Sequence, residues 1–301
     1  MMKKLLKLTL VAASLMCTLS LSAQQLLVAG SGWNKVAIID KESKKVLWQH
    51  SLVKGMECNN AVALKGGNIL YSYKQGAAVV DMDHNIVWDI KAPSGCEMQS
   101  VKLLKNGNSL IAWCGHPLVI MEVDSKTGKI LKEVKYDTGV KKAHSQMRQI
   151  NKMDDGNYIV PIIATKEIHI VSPEGKLVRK YAVDGNPFAT DQIKGTKYLV
   201  AGGDAHTLME VDLATGEVLK TIKSGDFKGG APLFFVGGVE SNKKSFYVAS
   251  WQGHSKGKTG PKVFEVDSNM NVLWQIDEGD KNTGGISSVC SIKYKAKKSK
   301  K

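Results

Sequence analysis

The sequence EMQSVKLLKNGNSLIAWCGHPLVIMEVDSKTGKILKEV, residues 97 to 134, decides the fold. It contains four short runs rich in β-branched and aromatic residues, and turn residues separate each run from the next. The first turn, at residues 105 to 108, places Asn-Gly between two apolar runs, which is the strongest short-range signal of a β-hairpin. A second turn, at residues 124 to 128, precedes the last run. The stretch therefore predicts one antiparallel unit of four strands.

This unit recurs along the chain. Turns similar to the first one occur at residues 65 to 68 and 154 to 157, and each precedes another apolar run. The end of the third strand recurs six times, at intervals of about 40 to 55 residues, and the turn that follows begins at Asp40, Asp81, Asp124, Ser172, Asp212 and Asp267. Repeats of this period are typical of propeller blades. We therefore predict an all-β fold, a six-bladed β-propeller of four-stranded antiparallel blades, with seven blades as the alternative.

The first blade needs a strand from the other end of the chain. Residues 25 to 29, 35 to 40 and 45 to 52 make only three strands, and an open ring would expose sheet edges at both termini. We expect residues 286 to 292 to supply the missing strand. The other blades are predicted at residues 60 to 90, 97 to 134, 146 to 183, 188 to 222 and 233 to 276. The last of these carries a long insertion at residues 253 to 262, and such insertions often lie on the binding face of a repeat protein.

The two termini have their own composition. Residues 1 to 23 combine three lysines, an apolar run and a small-residue end at Ala23, which predicts a secretory signal peptide and a periplasmic or secreted protein. Residues 293 to 301 contain six lysines and no acid, and we expect a disordered tail after a propeller domain that spans residues 24 to 292. These segments account for nine of the net +14 charges, so the propeller itself is not predicted to bind nucleic acid. No other stretch has the roughly 18 apolar residues of a transmembrane helix.

Four cysteines remain after the predicted signal peptide, and the sequence leaves their pairing open. Cys58, Cys96 and Cys114 fall in neighbouring blades, so a disulfide among them is compatible with an exported protein. Cys290 lies in an apolar run, and we expect it to be a free thiol. None of the four has the spacing of a zinc site.

The turn between the third and fourth strands suggests a family. Residues 124 to 131 and 212 to 219 match almost position for position, and Trp48, Trp88 and Trp274 follow the equivalent turn in three blades. The outline Val-Asp-x-x-Thr-Gly-x-x-Leu-Trp resembles the repeat of quinoprotein-type (PQQ-like) β-propellers. The resemblance implies that these Asp, Gly and Trp residues join one blade to the next. It also makes PQQ the organic cofactor to test, although the residues themselves call for no cofactor.

A second resemblance concerns the starts of the third and fourth blades. Residues 97 to 108 and 144 to 157 are similar to the His-x-x-x-(R)-x-Leu-x-x-Gly-Asn blade starts of bacterial arylsulfotransferases. In that family, histidines near the pore accept the sulfuryl group, and arginines or asparagines bind it. The resemblance implies His144 and Arg148 as candidate catalytic residues.

Propeller geometry predicts which residues share a face. The connections from second to third strands and from one blade to the next emerge on one side of the ring around the central pore. Four of the seven histidines fall on that side, and equivalent strand-end histidines either cap backbone carbonyls or contact a ligand. We predict a ligand-binding surface from the residues on these connections, which are Trp33, Glu57, Glu97, Trp113, His116, Asp204, His206, Trp251 and His254.

Two functional hypotheses follow from this surface. The first is a monomeric, non-catalytic propeller that binds a protein, peptide or glycan. The second is a propeller enzyme, such as a group transferase, lyase or quinoprotein, in which His144 or His206 acts as base or nucleophile, Arg148 binds an anion and Glu57 or Glu97 is the partner. A divalent metal near the pore histidines is a further alternative. The short loops favour the binding hypothesis, since they leave little chain to build a lid.

Overall fold

The structure is a computed structural model that describes residues 25 to 242, 244 to 254 and 259 to 292. The predicted signal peptide, the lysine tail and the middle of the insertion at residues 253 to 262 lie outside the described residues. In the part of the chain that is described, no helix has the length and apolar character required to span a bilayer.

Six sheets of four antiparallel strands form a closed ring. The prediction of a six-bladed propeller is confirmed, and the seven-bladed alternative is wrong. Blade 1 contains β1 (Gln25–Ala29), β2 (Lys35–Asp40), β3 (Val46–Ser51) and β24 (Ser288–Ile292). Blade 2 contains β4 (Ala61–Ala63), β5 (Ile69–Tyr73), β6 (Gly76–Val80) and β7 (Ile86–Lys91). Blade 3 contains β8 (Glu97–Leu103), β9 (Ser109–Cys114), β10 (Leu118–Val123) and β11 (Ile130–Tyr136).

The remaining blades follow in chain order. Blade 4 contains β12 (Asn151–Lys152), β13 (Tyr158–Ile162), β14 (Glu167–Val171) and β15 (Leu177–Ala182). Blade 5 contains β16 (Ala189–Lys194), β17 (Lys197–Ala201), β18 (Leu208–Asp212) and β19 (Glu217–Ile222). Blade 6 contains β20 (Phe235–Ser241), β21 (Ser245–Trp251), β22 (Pro261–Asp267) and β23 (Val272–Asp277). Short 3-10 turns at Ala143–Ser145 and Ser224–Asp226 precede blades 4 and 6.

The last strand of the chain closes the ring. β24 pairs antiparallel with β1, so that Gln25 lies opposite Ile292 and Ala29 lies opposite Ser288. The backbone N–H of Ser287 adds a hydrogen bond to the carbonyl of Ala29 at 3.0 Å. The predicted closure is confirmed, although the strand begins two residues later than expected. It gives β1 a partner on both sides, so that the first blade has four strands like the others.

The hydrophobic core is divided among the six blade interfaces. Each interface holds one cluster of buried apolar side chains, contributed by the facing surfaces of two neighbouring blades. The cluster between blades 6 and 1 pairs Leu26 and Ala37 with Tyr247 and Val263, for example. Both faces of the two middle strands are therefore buried, which explains their nearly continuous apolar sequences.

The turn before the fourth strand joins each blade to its neighbour. Asp124 closes its turn by accepting hydrogen bonds from the backbone N–H groups of Lys126 and Thr127 at 3.0 and 2.8 Å. The indole N–H of Trp88, in the preceding blade, donates to the carbonyl of Ser125 at 3.0 Å. Gly128 has φ +73°, and a Cβ at this position would lie 2.9 Å from the Trp88 ring. The expected role of Asp, Gly and Trp as blade connectors is confirmed at this interface.

The same contact recurs elsewhere in the ring. Trp48 donates to the carbonyl of Met82, and Trp274 donates to the carbonyl of Lys41, at 3.0 and 2.6 Å. In blade 4 an arginine, Arg179, takes this position and donates to a carbonyl of the next blade at 2.9 Å. A side-chain N–H group at the third residue of the fourth strand therefore links one blade to the next in these four blades.

Every outer strand contains a bulge immediately before this position. The pairing of the third and fourth strands skips one residue of the fourth strand in each blade. The skipped residue is always apolar and is 38 to 54% exposed: Leu47, Val87, Leu131, Val178, Leu219 and Leu273. A bulge increases the local twist and interrupts the edge, so it makes the outer strands poor templates for pairing with another chain.

Blade 4 starts later than its sequence predicts. We expected it to begin at residue 146, but its first strand contains only Asn151 and Lys152. The side chain of Gln146 explains the difference, because it pairs with both backbone groups of Gly115, accepting from the N–H at 2.8 Å and donating to the carbonyl at 2.9 Å. The segment before β12 is thus held by a side-chain amide rather than by strand pairing.

The four cysteines of the propeller, Cys58, Cys96, Cys114 and Cys290, are free thiols. The disulfide that the sequence allowed among the first three is not formed, and the expectation of a free Cys290 is confirmed. Burial raises the pKa of the Cys58 thiol to about 12 and that of Cys114 to about 11. Both are therefore neutral, unreactive thiols at physiological pH.

The blade connection can be tested with Trp88→Phe. This substitution keeps an aromatic ring against Gly128 but removes the donor to the Ser125 carbonyl, so we expect the free energy of unfolding to fall by about 1 to 3 kcal/mol. Urea denaturation measures the change. The control is Leu131→Thr at an exposed bulge, where we expect a change within about 0.5 kcal/mol. Equal effects of the two substitutions would contradict the role of the tryptophan.

Candidate functional site

A glutamine side chain closes the central channel. The amide nitrogen of Gln149 donates to the carbonyls of Asn59 and Gly237 at 3.0 Å and of Ser287 at 3.3 Å. Gln149 precedes blade 4, whereas its partners belong to blade 2, blade 6 and the closing segment, so the side chain bridges the ring. Asn59 and Gln99 add a buried hydrogen bond of 2.7 Å beside it. We call Asn59, Gln99 and Gln149 the floor of the channel mouth. They lie on the face of the ring that carries the predicted ligand-binding surface.

A cavity of about 200 Å³ lies at this mouth. Charged groups and aromatic rings both contribute to its lining, and they come from the blade connections predicted to share this face. The lining residues that matter for its chemistry are Glu57, His144, Arg148, Phe188, Phe235, Trp251, His254 and Ser287. Glu97 lies directly behind His144 and contacts it. The structure therefore brings seven of the predicted residues together around one opening. They are Glu57, Glu97, His144, Arg148, Asp204, Trp251 and His254.

A carboxylate and an arginine fix the orientation of His144. Nδ1 of His144 lies 2.6 Å from a carboxylate oxygen of Glu97, and Nε2 lies 3.0 Å from a guanidinium nitrogen of Arg148. Since a guanidinium group can only donate, Nε2 accepts this bond, and the ring proton of a neutral His144 is on Nδ1 and points to Glu97. The Glu97–His144 pair has the arrangement of a carboxylate that orients a histidine base.

Glu97 is held in its charged form by its neighbours. Burial alone would raise the pKa of this carboxyl group, but the hydrogen bonds from His144 and Gln99 and the positive charge of Lys74 outweigh it, and the pKa lies below its ordinary value. The ammonium group of Lys74 is 3.3 Å from Glu97, and the amide of Gln99 donates to it at 3.0 Å. Glu97 therefore has a complete set of partners within the protein.

Arg148 is buried, and part of its guanidinium group has no partner. One terminal nitrogen donates to the carbonyls of His144 and Met147 at 2.7 and 2.9 Å, and the charged carbon lies 5.6 Å from the centre of the Phe188 ring. The Nε atom of Arg148 has no hydrogen bond among the described residues, and neither does the hydroxyl of Ser287. Both residues line the cavity, and only 4% and 1% of their surface is exposed.

The acidic side of the cavity also has the composition of a metal site. Glu57, Glu97 and His144 each offer one ligand atom, and these atoms lie within 4.8 Å of one another. However, a histidine that binds a metal through one ring nitrogen normally donates its other N–H to an acceptor. Here the other nitrogen of His144 faces the donor Arg148. The arrangement fits a hydrogen-bonded acid–histidine pair better than it fits a metal ligand set.

Aromatic rings form the opposite side. Phe235 meets Phe188, Trp251 and His254 edge to face, at centroid distances of 4.9, 5.8 and 5.4 Å. Nδ1 of His254 donates a hydrogen bond to the carboxylate of Asp204 at 2.9 Å, and this exposed pair lies at the outer edge of the aromatic side. Edge-to-face packing fixes the rings and leaves an apolar surface toward the cavity.

Five of the nine predicted ligand-binding residues do not line this cavity; one of them, Glu97, lies behind His144, and the other four lie elsewhere. His116 and His206 contact backbone carbonyls, of Lys141 and Phe234 respectively, which is the strand-capping alternative considered from the sequence. Trp33 lies against Gly284, where a Cβ would come within 2.3 Å of its ring, and Trp113 packs in the cluster between blades 2 and 3.

Sequence reasoning missed several residues of the site. Phe188, Phe235 and Ser287 were not predicted, although each begins or precedes a blade, like Glu57 and His144. Their positions in the blade connections would have placed them at the mouth if apolar and small residues had been considered beside charged ones. Gln149 was missed because nothing local shows that its amide reaches across the ring.

A second group of charges lies inside the channel, away from the cavity. The ammonium group of Lys102 pairs with Asp191 at 2.7 Å, and the other oxygen of Asp191 accepts a hydrogen bond from the Ser241 backbone. Glu240 accepts a hydrogen bond of 2.5 Å from the backbone N–H of Ser291 in the closing strand. Burial and the nearby charge of Asp191 raise the pKa of Glu240 to about 6, against opposing effects of Ser291 and Lys102.

The raised pKa of Glu240 predicts a pH dependence of stability. The folded protein binds this proton more tightly than the unfolded chain, whose ordinary value is 4.5. The resulting stabilisation is complete below pH 4.5 and is lost as the pH rises through about 6. A shift of this size corresponds to about 2 kcal/mol at most. Between pH 4.5 and 7.5, we expect the unfolding free energy of the unsubstituted protein to fall by about 2 kcal/mol more than that of the Glu240→Gln variant. Urea denaturation at each pH measures both values. Parallel pH profiles of the two proteins would contradict this assignment.

Comparison with known proteins places these features in a family. A family model described as Mal s 1 allergenic protein-like matches residues 23 to 283. A crystal structure of a protein of unknown function from Bacteroides caccae is 40% identical in sequence, and the alignment covers 90% of this chain and 100% of that one with a TM-score of 0.87. A search of curated proteins found no match.

More distant structures share only the fold. A streptogramin B lyase is 12% identical, with a TM-score of 0.58 and coverage of 85% of this chain and 83% of the other. A virginiamycin B lyase from Staphylococcus aureus, solved with quinupristin, is also 12% identical, with a TM-score of 0.57 and 88% coverage of both chains. The propeller part of the sequence resemblance is thus confirmed, whereas the quinoprotein-type classification is not. The chain belongs to the Mal s 1-like family of β-propeller proteins.

Proposed function

We propose that this protein is an exported binding protein that takes one small group of its ligand, such as a residue of a peptide or a sugar of a glycan, into the cavity at the channel mouth. The observation that carries the proposal is the cavity of about 200 Å³, with acidic groups on one side and aromatic rings on the other. Mostly apolar walls with a few fixed polar groups are typical of ligand pockets. The volume is suited to one residue or one sugar rather than to a large cofactor.

The hydrogen bonds around His144 favour binding over catalysis. The lone pair of Nε2, which a general base would use, accepts a bond from Arg148. Arg148 is itself anchored by two backbone carbonyls, so it holds this position without a ligand. A histidine in this state contributes shape and hydrogen bonding, and its Nε2 lone pair is available to a ligand only if the arginine moves.

The rest of the molecule supports a soluble, exported form. Residues 1 to 23 have the composition of a signal peptide, and the free protein would then act in the periplasm or outside the cell. The six bulges on the outer strands oppose edge-to-edge association between copies. We therefore infer that the propeller acts as a monomer.

Acid–base catalysis in the same cavity is the second candidate. The hydrogen bond of 2.6 Å between Glu97 and His144 favours it, because a carboxylate that orients a histidine is a common feature of enzyme sites. The two lyases with this fold are too distant in sequence to add support. On this alternative, a ligand anion displaces Arg148 from Nε2, and His144 becomes the base.

Thermal melting with a panel of compounds tests the proposal. The panel contains amino acids and short peptides, mono- and disaccharides, aryl sulfates, PQQ and divalent metal ions. A ligand at a hundred times its dissociation constant adds about 2.7 kcal/mol, so we expect at least one peptide or sugar compound to raise the melting midpoint by roughly 5 °C or more. The shift should disappear in Glu57→Gln and persist in the control Glu133→Gln, on an outer strand.

The same samples distinguish binding from catalysis. Mass spectrometry of the ligand after incubation should recover it unchanged if the protein only binds. Conversion that is lost in His144→Gln would instead establish the enzyme. No shift with any compound, or a shift that the cavity substitutions leave intact, would contradict a binding site in this cavity.

A further inference from the structure

The acidic side of the cavity contains a carboxylate, Glu57, that forms no ion pair with the described residues. Glu97 is surrounded by Lys74, His144 and Gln99. Glu57, in contrast, has one partner among the described residues, the hydroxyl of Ser31 at 3.0 Å. Its carboxylate lies within 4.8 Å of the ligand atoms of Glu97 and His144, so two acids share this side of the opening. A group with a positive charge would complete the set.

The aromatic side limits the identity of that positive group. Phe235 and Trp251 face the cavity opposite the acids and offer apolar surface and ring faces. An organic cation with an apolar body satisfies both sides at once, because the ammonium pairs with the carboxylate while the body packs against the rings. A bare metal ion leaves the aromatic side unused, and it also requires the proton of His144 to leave the bond with Glu97. A neutral sugar leaves Glu57 without an ion-pair partner.

Two buried polar atoms beside the cavity have no hydrogen-bond partner among the described residues. The Nε–H of Arg148 can only donate, and it has no acceptor among the described residues. The hydroxyl of Ser287, which is also without a partner, lines the same cavity. A buried donor without an acceptor is costly, and an oxygen on the occupant of the cavity would supply that acceptor. This observation is independent of the acidic pair.

We propose that the cavity recognises an α-ammonium group next to a carbonyl or carboxylate oxygen, on a residue with an apolar or aromatic side chain. The ammonium pairs with Glu57, the oxygen accepts from Arg148 and Ser287, and the side chain packs against Phe235 and Trp251. Such a group occurs in a free amino acid and at the N-terminus of a peptide. This inference rests on the proposed function and specifies the class of ligand.

Isothermal titration calorimetry with matched compounds tests the inference on the full-length mature protein. L-Phenylalaninamide carries both groups and the ring, N-acetyl-L-phenylalaninamide blocks the ammonium, and 3-phenylpropanamide lacks it. We expect both uncharged compounds to bind at least about tenfold more weakly, which is the effect of one charged hydrogen bond. L-Phenylalanine and the tripeptide Phe-Ala-Ala distinguish the two sources, since a site for peptide ends binds the tripeptide at least as well as the free amino acid.

Substitutions assign the contacts. Glu57→Gln is nearly isosteric and should weaken L-phenylalaninamide by about tenfold while leaving 3-phenylpropanamide unchanged. Ser287→Ala removes an unpaired hydroxyl and should weaken all ligands with the oxygen by a few-fold. Glu133→Gln, outside the cavity, is the matched control and should change neither. Melting temperatures of the free variants verify that each one is folded.

The possible results separate this inference from the proposed function. Equal affinity for charged and uncharged compounds, or an ammonium effect that survives Glu57→Gln, would overturn the ligand class and leave the cavity as a binding site. Binding of a sugar from the melting panel, without binding of any phenylalanine compound, would also overturn the ligand class and leave the cavity as a binding site. Failure of every compound in both experiments would overturn the inference and the proposed function together.

Discussion

The pairing between the last strand and the first is the contact on which the rest of the structure depends. β24 gives β1 its inner partner, and the closed ring then turns the first strand of every blade toward one narrow channel. The same segment supplies the Ser287 carbonyl that Gln149 contacts and the Ser291 N–H that Glu240 contacts. Closure therefore orders the channel floor and the buried charges at once.

A narrow channel lined by backbone and polar side chains needs most of those groups to be paired. Asn59, Gln99 and Gln149 achieve this on the floor, where each amide finds a partner in another blade. Immediately above them, Arg148 and Ser287 retain unpaired atoms, and Glu57 keeps a charge with a single hydroxyl partner. The contrast between a satisfied floor and an unsatisfied mouth supports the proposal that a ligand binds at the mouth.

The sequence predicted the features that local chemistry controls. Asp124 and Gly128 close a turn within their own hairpin, and a tryptophan such as Trp88 occurs at a fixed distance after the equivalent turn in three blades. Because these signals are local, the predicted blades, their number and their connectors were all confirmed. Residues that act across the ring were harder to find. The Gln149 amide and the aromatic pair of Phe188 and Phe235 depend on contacts between blades that have no sequence spacing. Charged residues of the mouth, such as Glu57 and His144, were found because their blade position alone predicted their face.

A crystal structure of the protein with L-phenylalaninamide would test the central claim most directly. The account predicts that the ammonium group lies within about 3 Å of the Glu57 carboxylate, that the carbonyl oxygen accepts from Nε of Arg148, and that the ring packs against Phe235 and Trp251. A ligand bound in the reverse orientation, with its ammonium against the rings, would contradict the assigned contacts. A ligand bound beside Lys102 and Asp191 would contradict the location of the site.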